Sequence, residues 1–360
     1  MTAFSHAGLK TLRVDQIGSL RRPTWLLDTR VRCAAGQATS AELRAAEDRA
    51  IREVVAHQET MAFPVVTDGE LRRTNFMDSF GASVTGYPQG GASLFERVPT
   101  REPLRLVHNL PLEEYEFTRT LTDRPVKVTI LGPDRITARF EWETSQAVYP
   151  DVQAFVDDVI AIERQMVGGL VAAGCPYVQI DAPGYTNYLD PAFMEPLRAR
   201  GEDPITNFER SLSADNAVIA DFPDTQFGIH LCRGNRPGGY RRSGGYDAIA
   251  ERLFNALNHD RFLLEYDTER AGGFEPLRFV PRGKVVVLGL VSTKVSQLET
   301  AEYLTRRIME ASKYLPLEQL ALSPQCGFGG GDPARREGLS EDEQWRKLEL
   351  VQRVAAEVWG

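Results

Sequence analysis

The chain is 360 residues long, 42% hydrophobic and 26% charged, with a formal net charge of −8. That composition is ordinary for a globular protein with a large core. The acidic balance argues against a general electrostatic grip on nucleic acid or on an anionic membrane. The longest apolar run, VVVLGLV at 285–291, has strand length and falls far short of the roughly 18 residues that cross a bilayer. The opening residues, MTAFSHAGLK, lack the apolar core of a signal peptide. Four cysteines, Cys33, Cys175, Cys232 and Cys326, are too scattered for a disulfide framework, so a reducing cytoplasm is the expected compartment.

Short apolar runs recur along the chain, each followed by a polar or Gly-rich turn and usually by a helical stretch. In order they are LRVDQIGS (12–19), FPVVTDGE (63–70), VKVTILGP (126–133) and YVQIDAPG (177–184), then FGIHLCRG (227–234), FLLEYD (262–267), KVVVLGLVS (284–292) and LALSPQCG (320–327). Helices are predicted over 40–61, opened by Ser40, and over 152–174, closed by Gly174. Others are expected near 205–221, 246–258, 298–314 and 340–358. Eight strands alternating with helices predict parallel pairing and closure into a (β/α)8 TIM barrel. We read 1–360 as a single barrel domain. Residues 76–120, between the second and third strands, break the rhythm and read as an inserted excursion.

Barrel enzymes work at the carboxyl ends of their strands. Here those ends carry Ser19, Asp68 and Glu70, Asp181, His230 and Cys232, Glu265 and Asp267, Lys294, and Cys326. Residues i and i+2 of an extended segment share a face, so His230 and Cys232 point together. With Glu265 and Cys326 they offer one nitrogen, two sulfurs and one oxygen, a set that suits Zn²⁺ in tetrahedral geometry. Cys33, in a helical stretch, and Cys175, after a helix-ending glycine, read as structural. The loop CRGNRPGGYRRSGGY (232–246) places Arg233, Arg236, Arg241 and Arg242 among glycines. CGFGGGD (326–332) offers backbone N–H groups to an anion but lacks the Lys-Ser/Thr of a P-loop.

The stretches IHLCRGN, LLEYD and SPQCGFGG resemble the zinc-ligand motifs of the cobalamin-independent methionine synthase family, in its carboxy-terminal catalytic barrel. QIGSLRRP, TDGELRR, VKVTILGP and VQIDAPG extend the likeness over nearly the whole chain. CRGNRPGGY, GGYDAIAERLF and GLVSTKVSQLE resemble its short, stand-alone bacterial members, which are related also to enzymes that use coenzyme M to open epoxides. The resemblance implies that His230, Cys232, Glu265 and Cys326 hold zinc. It also implies that Ser19, Glu70 and Asp181 grip the amino-acid part of homocysteine. Two departures weigh against a folate donor. Asp181-Ala182-Pro183 replaces the family's Asp-Glu-Pro, and Lys294 stands where the family has a histidine after strand seven.

The expected chemistry follows from thiol acidity. A free thiol, with pKa near ~8.5, is mostly protonated at neutral pH and attacks poorly. Zinc removes the proton and leaves a sulfur able to attack carbon. We therefore expect a zinc-dependent thiol alkyltransferase that makes a thioether by S-methyl transfer to homocysteine or a similar thiol, with the zinc-bound thiolate as nucleophile. The rival is thiol addition to an epoxide or related electrophile. Lys294 and Arg233 are the candidate acid or anion anchors. The expected partners are a small-molecule thiol and an alkyl donor, with neither nucleic acid nor membrane. Sequence leaves open a homo-oligomer or a methyl-donor protein. A zinc protein without catalysis and a metal-free barrel of the porphyrinogen decarboxylase type are the readings from other classes.

Overall fold

The computed structural model describes residues 6–87, 96–235, 239–329 and 338–360. Two short strands, β1 (Val84–Thr85) and β2 (Arg105–Leu106), pair antiparallel within the stretch between the second and third apolar runs. That stretch also holds helix Leu110–Thr118, whose first turn is capped by the Asn109 side chain. Six strands then run parallel in chain order: β3 (Lys127–Leu131), β4 (Tyr177–Asp181), β5 (Gln226–Leu231), β6 (Arg261–Glu265), β7 (Val285–Val291) and β8 (Leu320–Pro324). Every residue of these six is buried, as strands sandwiched between a barrel interior and an outer helical layer must be.

The first two apolar runs close the TIM barrel less regularly than the sequence suggested. Val14 makes one parallel bridge to Leu322 on β8, and Val66 makes one to Val126 beside β3. Backbone geometry explains the short ladders, because φ is positive at Gly18 (140°), Gly69 (72°) and Glu70 (56°). Side chains take over the joining: Thr67 Oγ1 donates to the Gly18 carbonyl (2.9 Å) and Gln16 Nε2 to the Val65 carbonyl (3.0 Å).

Polar groups plug the amino-terminal end of the barrel. Lys127 Nζ pairs with Asp15 (2.7 Å) and donates to Gln179 Oε1 (2.9 Å), while Tyr177 donates to Asp15 (2.9 Å) and Arg261 pairs with it from 3.3 Å. All are at most 1% exposed, and the two buried cations share the one carboxylate of Asp15.

The outer helices follow the expected pattern, with bounds shifted by a few residues. Ser40–Thr60 opens with a capping box between Thr39 and Glu42. Val152–Ala172 packs Val159, Ile162, Met166, Val167 and Leu170 inward at helical spacing. Helices Pro204–Ile219, Ala301–Ala311 and Glu341–Trp359 complete the expected set, and the predicted 246–258 resolves into two short turns of helix. Cys33 lies on helix Thr24–Ala34, and Cys175 is buried with its thiol pushed up to about 12 by burial.

Gly289, on β7, is required by close approach. A Cβ there would lie 2.7 Å from the Leu264 carbonyl oxygen and 2.8 Å from Gln325 Cα. Gly289→Ala should therefore lower the unfolding free energy by about 1–3 kcal/mol, the usual range for overpacking, as measured by urea titration.

Candidate metal centre

The barrel register brings the site together. Asp181 and His230 are paired across β4 and β5, and Glu265 and Gly289 across β6 and β7, so these ends share one rim. Cys232 follows β5, where Thr186 Oγ1 holds its carbonyl at 2.8 Å. Cys326 follows β8 between two anchored neighbours. Gln325 N–H donates to the Val291 carbonyl (2.8 Å), and the Gly327 carbonyl accepts from Asn235 Nδ2 (2.9 Å).

One ligand atom each from His230, Cys232 and Cys326 lies within 4.8 Å of the other two. His230 is 3% exposed, and its Nδ1 meets the Leu263 carbonyl at 3.1 Å. That contact assigns the ring proton to Nδ1 and leaves Nε2 as an acceptor. Nε2 is buried and has no hydrogen-bond partner among the described residues. The Cys232 thiol is held well below the usual thiol range, because Cys326 donates to it and His230 lies alongside. Cys326, keeping the shared proton, is pushed up. An orphaned imidazole nitrogen and a thiolate-thiol pair, brought together by the end of β5 and the turn after β8, fit a zinc ion. Three protein donors leave one position to a fourth ligand, as catalytic zinc sites require.

Glu265 is not among the three. Its carboxylate is fully buried and within electrostatic reach of both thiols, yet each oxygen is engaged elsewhere. Oε2 accepts from the Arg233 backbone N–H (2.6 Å), and Oε1 pairs with Arg270 (2.5 Å) and Lys294 (3.1 Å). Against burial, those cations hold its pKa below the usual carboxylate value. Of the four expected donors, three lie together, and the fourth stands in an ion-pair cluster beside them.

The two expected anion anchors are placed otherwise. Lys294 is neither solvated nor free, for its ammonium bridges Glu265 and Asp267 (3.0 Å). Arg233 has no donor left for a ligand. Its guanidinium bonds the carbonyls of Gly244, Glu265 and Ala271 and the Tyr246 hydroxyl, and it stacks 4.2 Å over the Tyr246 ring. It stiffens the loop between β5 and β6 instead. Arg236 and the glycines at 330–331, parts of the two expected anion loops, lie outside the described residues.

Glu70 and Asp181 stand on the same rim, Asp181 directly beside His230. Glu70 Oε1 accepts from Thr129 Oγ1 (2.8 Å), and its buried Oε2 has no hydrogen bond among the described residues, with Arg73 Nη1 3.9 Å away. Asp181 Oδ1 accepts from Gln179 Nε2 (2.8 Å); burial, with the charge of Glu70 adding to it and His230 opposing, brings its pKa to about 7. Asp68, at the same strand end, was given no role by sequence. It accepts from the Glu70 N–H (2.9 Å) and is pushed to about 7, chiefly by burial. Ser19 faces the segment after Cys326: its Oγ accepts from Gly329 N–H (3.3 Å) and its carbonyl from Phe328 N–H (2.8 Å). Sequence also missed the Asn235–Thr293–Gln325 brace, although Asn235 and Gln325 sit inside the two ligand motifs.

Comparison with known proteins agrees with this geometry. Residues 13–335 match the family model of the cobalamin-independent synthase catalytic domain. The chain is 36% identical to the uncharacterized protein YxjG of Bacillus subtilis, over 96% of this chain and 94% of that one. It is 26% identical to a methionine synthase of Pyrococcus abyssi, over 89% and 87% of the two. A Listeria monocytogenes protein, crystallised as a candidate vitamin-B12-independent methionine synthase, superposes with a TM-score of 0.78 at 30% identity and covers 97% of this chain and 98% of its own. No helix among the described residues is long and apolar enough to cross a membrane. By fold, by the donors at the barrel mouth and by sequence, the chain belongs to the cobalamin-independent synthase catalytic-domain family, the methionine synthase-like methyltransferases.

Proposed function

We propose that the chain is a zinc-dependent thiol alkyltransferase that methylates homocysteine or a closely similar thiol, with 1–360 acting as one catalytic domain. The observation that carries this reading is the unpartnered His230 Nε2 facing the Cys232–Cys326 pair. Zinc bound there by His230, Cys232 and Cys326 would supply the Lewis acidity that keeps a substrate thiol deprotonated at neutral pH. Glu265 would supply a fourth donor on turning from Arg270 and Lys294. Its lability would let a substrate sulfur take that place. Glu70 and Asp181 hold the substrate ammonium, which gives the buried Oε2 of Glu70 the hydrogen bond it lacks. Ser19, bonded to the segment after Cys326, completes the substrate grip.

The donor side supports a second reading. Ala182 is fully buried where folate-using relatives have a carboxylate, and Lys294 is locked between Glu265 and Asp267. Both favour an electrophile other than a folate, such as an epoxide. The test pairs homocysteine and 2-mercaptoethanesulfonate with methyl donors and with epoxides, using zinc-loaded protein. Thioether formed from homocysteine and a methyl donor supports the first reading, and thioether formed only with epoxides supports the second. Fully zinc-loaded protein that consumes no thiol overturns both.

Glu70→Gln should lower kcat/KM for homocysteine about ten- to hundredfold, the loss of one charge-assisted hydrogen bond. The rate with an amine-free thiol should stay unchanged. An equal loss for both thiols would place Glu70 in the framework rather than on the substrate.

A further inference from the structure

We propose that Glu114, carried by the excursion between the second and third apolar runs, keeps the charge of Glu70 available to a substrate ammonium. Glu114 is a positioning residue that acts through Arg73. The inference rests on the reading of Glu70 given above and assigns the excursion a part in recognising the amine.

Arg73 stands between two acids and is 1% exposed. Its guanidinium bonds Glu114 three times, from Nε to Oε1 (3.0 Å) and Oε2 (3.1 Å) and from Nη2 to Oε2 (2.6 Å). Nη1 donates to the Thr129 hydroxyl (2.9 Å) and Nη2 to the Thr129 carbonyl (2.8 Å). Thr129 in turn donates to Glu70 Oε1 (2.8 Å). Glu70 Oε2, 3.9 Å from Arg73 Nη1, is left outside hydrogen-bond reach.

Glu114 is 2% exposed, and among the described residues Arg73 is the one cation within ion-pair distance of it. Its carboxylate is therefore engaged wholly on Arg73. The helix that carries it, Leu110–Thr118, is held firmly. Asn109 caps its first turn, Tyr115 is buried in the main core, and Thr118 Oγ1 donates to the Glu114 carbonyl (2.7 Å).

A buried guanidinium deprived of its carboxylate carries an uncompensated charge and is drawn to the nearest remaining acid. Here that acid is Glu70. Closing the gap to about 2.8 Å would pair Arg73 with Oε2 and occupy the oxygen that an ammonium needs. Glu114 is thus a competing counter-ion. It satisfies Arg73 from outside the mouth, so Arg73 can order Thr129 and Glu70 without neutralising Glu70.

The test uses cobalt-substituted full-length protein, whose visible spectrum reports thiol binding. The probes are homocysteine and 4-mercaptobutyrate, which is homocysteine without the amine. Glu114→Gln keeps an acceptor for Arg73 and removes the charge. It should weaken homocysteine about tenfold and leave 4-mercaptobutyrate unchanged. Glu114→Asp, which keeps the charge, should bind homocysteine more tightly than Glu114→Gln does. Adding Arg73→Gln to Glu114→Gln removes the cation that would cap Glu70, and should return homocysteine to near its wild-type affinity. Unaltered far-UV spectra and cobalt stoichiometry confirm that the variants are folded. Equal weakening of both thiols by Glu114→Gln, weakening of neither, or no recovery in the double variant overturns the role of Glu114. Homocysteine binding that survives Glu70→Gln unchanged overturns instead the reading of Glu70.

Discussion

Cys326→Ser is expected to abolish stable zinc binding and, with it, thiol alkylation. The change removes one of the three donors that converge among the described residues. A serine hydroxyl keeps the size but not the soft, readily ionised sulfur. Loss of an outer partner of a zinc ligand already costs ten- to hundredfold in metal affinity, so loss of a ligand should exceed about a hundredfold. Zinc per chain after dialysis, read by atomic emission, should fall from near one to near zero, and turnover should fall in step. Cys33→Ser is the control, because Cys33 sits partly exposed on helix Thr24–Ala34, away from the cluster. Retention of both zinc and turnover by the Cys326 variant would remove the metal centre from the account.

The ion pairs around Glu265 bear on how such a centre stays open. Arg270 and Lys294 together hold one oxygen that the metal would claim, and Arg233 N–H holds the other. The carboxylate is therefore placed between two sets of partners on adjoining loops. A carboxylate with alternatives exchanges more readily than a thiolate without them. On the function proposed above, two cysteines would supply affinity and one movable acid would let the substrate exchange.

Much of this was legible in the sequence because strand ends carry their residues to one rim whatever lies between them. His230 and Cys232 were readable from their i,i+2 spacing, and Cys326 from its place after the last strand. The six strands from Lys127 onward follow apolar runs that have little else to be. The first two runs were harder, since positive φ at Gly18, Gly69 and Glu70 breaks the ladder without changing the hydrophobic pattern. Charge pairing was not legible at all. Arg233 and Arg242 stand nine residues apart in one basic, Gly-rich loop, yet the first is saturated by backbone carbonyls and the second keeps an unmatched donor. Nor does sequence show that Lys294 would meet Glu265 and Asp267 rather than water. Those outcomes depend on which loops touch, and local composition does not record that.

Asp215→Asn is expected to remove a large pH dependence from the stability of the outer layer. Asp215 lies on helix Pro204–Ile219 with no exposed surface; Oδ2 accepts from the Tyr185 hydroxyl at 2.5 Å, and Oδ1 has no partner among the described residues. Burial pushes its pKa up to about 8, against the Tyr185 hydrogen bond. Glu163, on the facing helix, is fully buried with both oxygens unpartnered and is also raised by burial and by Asp215. The sign is set by the folded state holding a proton that the unfolded chain has released above pH ~4. Stability is then complete at acid pH and falls as pH rises toward the folded pKa of about 8. At 1.36 kcal/mol per pH unit, the wild type should lose about 4 kcal/mol more than Asp215→Asn between pH 5 and pH 8. Urea unfolding at the two pH values reads this difference directly, and asparagine keeps the acceptor for Tyr185. The effect reaches the site through the turn Pro183–Leu189, where Tyr185 is followed by Thr186, whose hydroxyl holds the Cys232 carbonyl. Zinc affinity of the wild type should therefore weaken above pH 8 more than that of the variant. Parallel stability curves for the two proteins would show that Asp215 is already ionised in the fold.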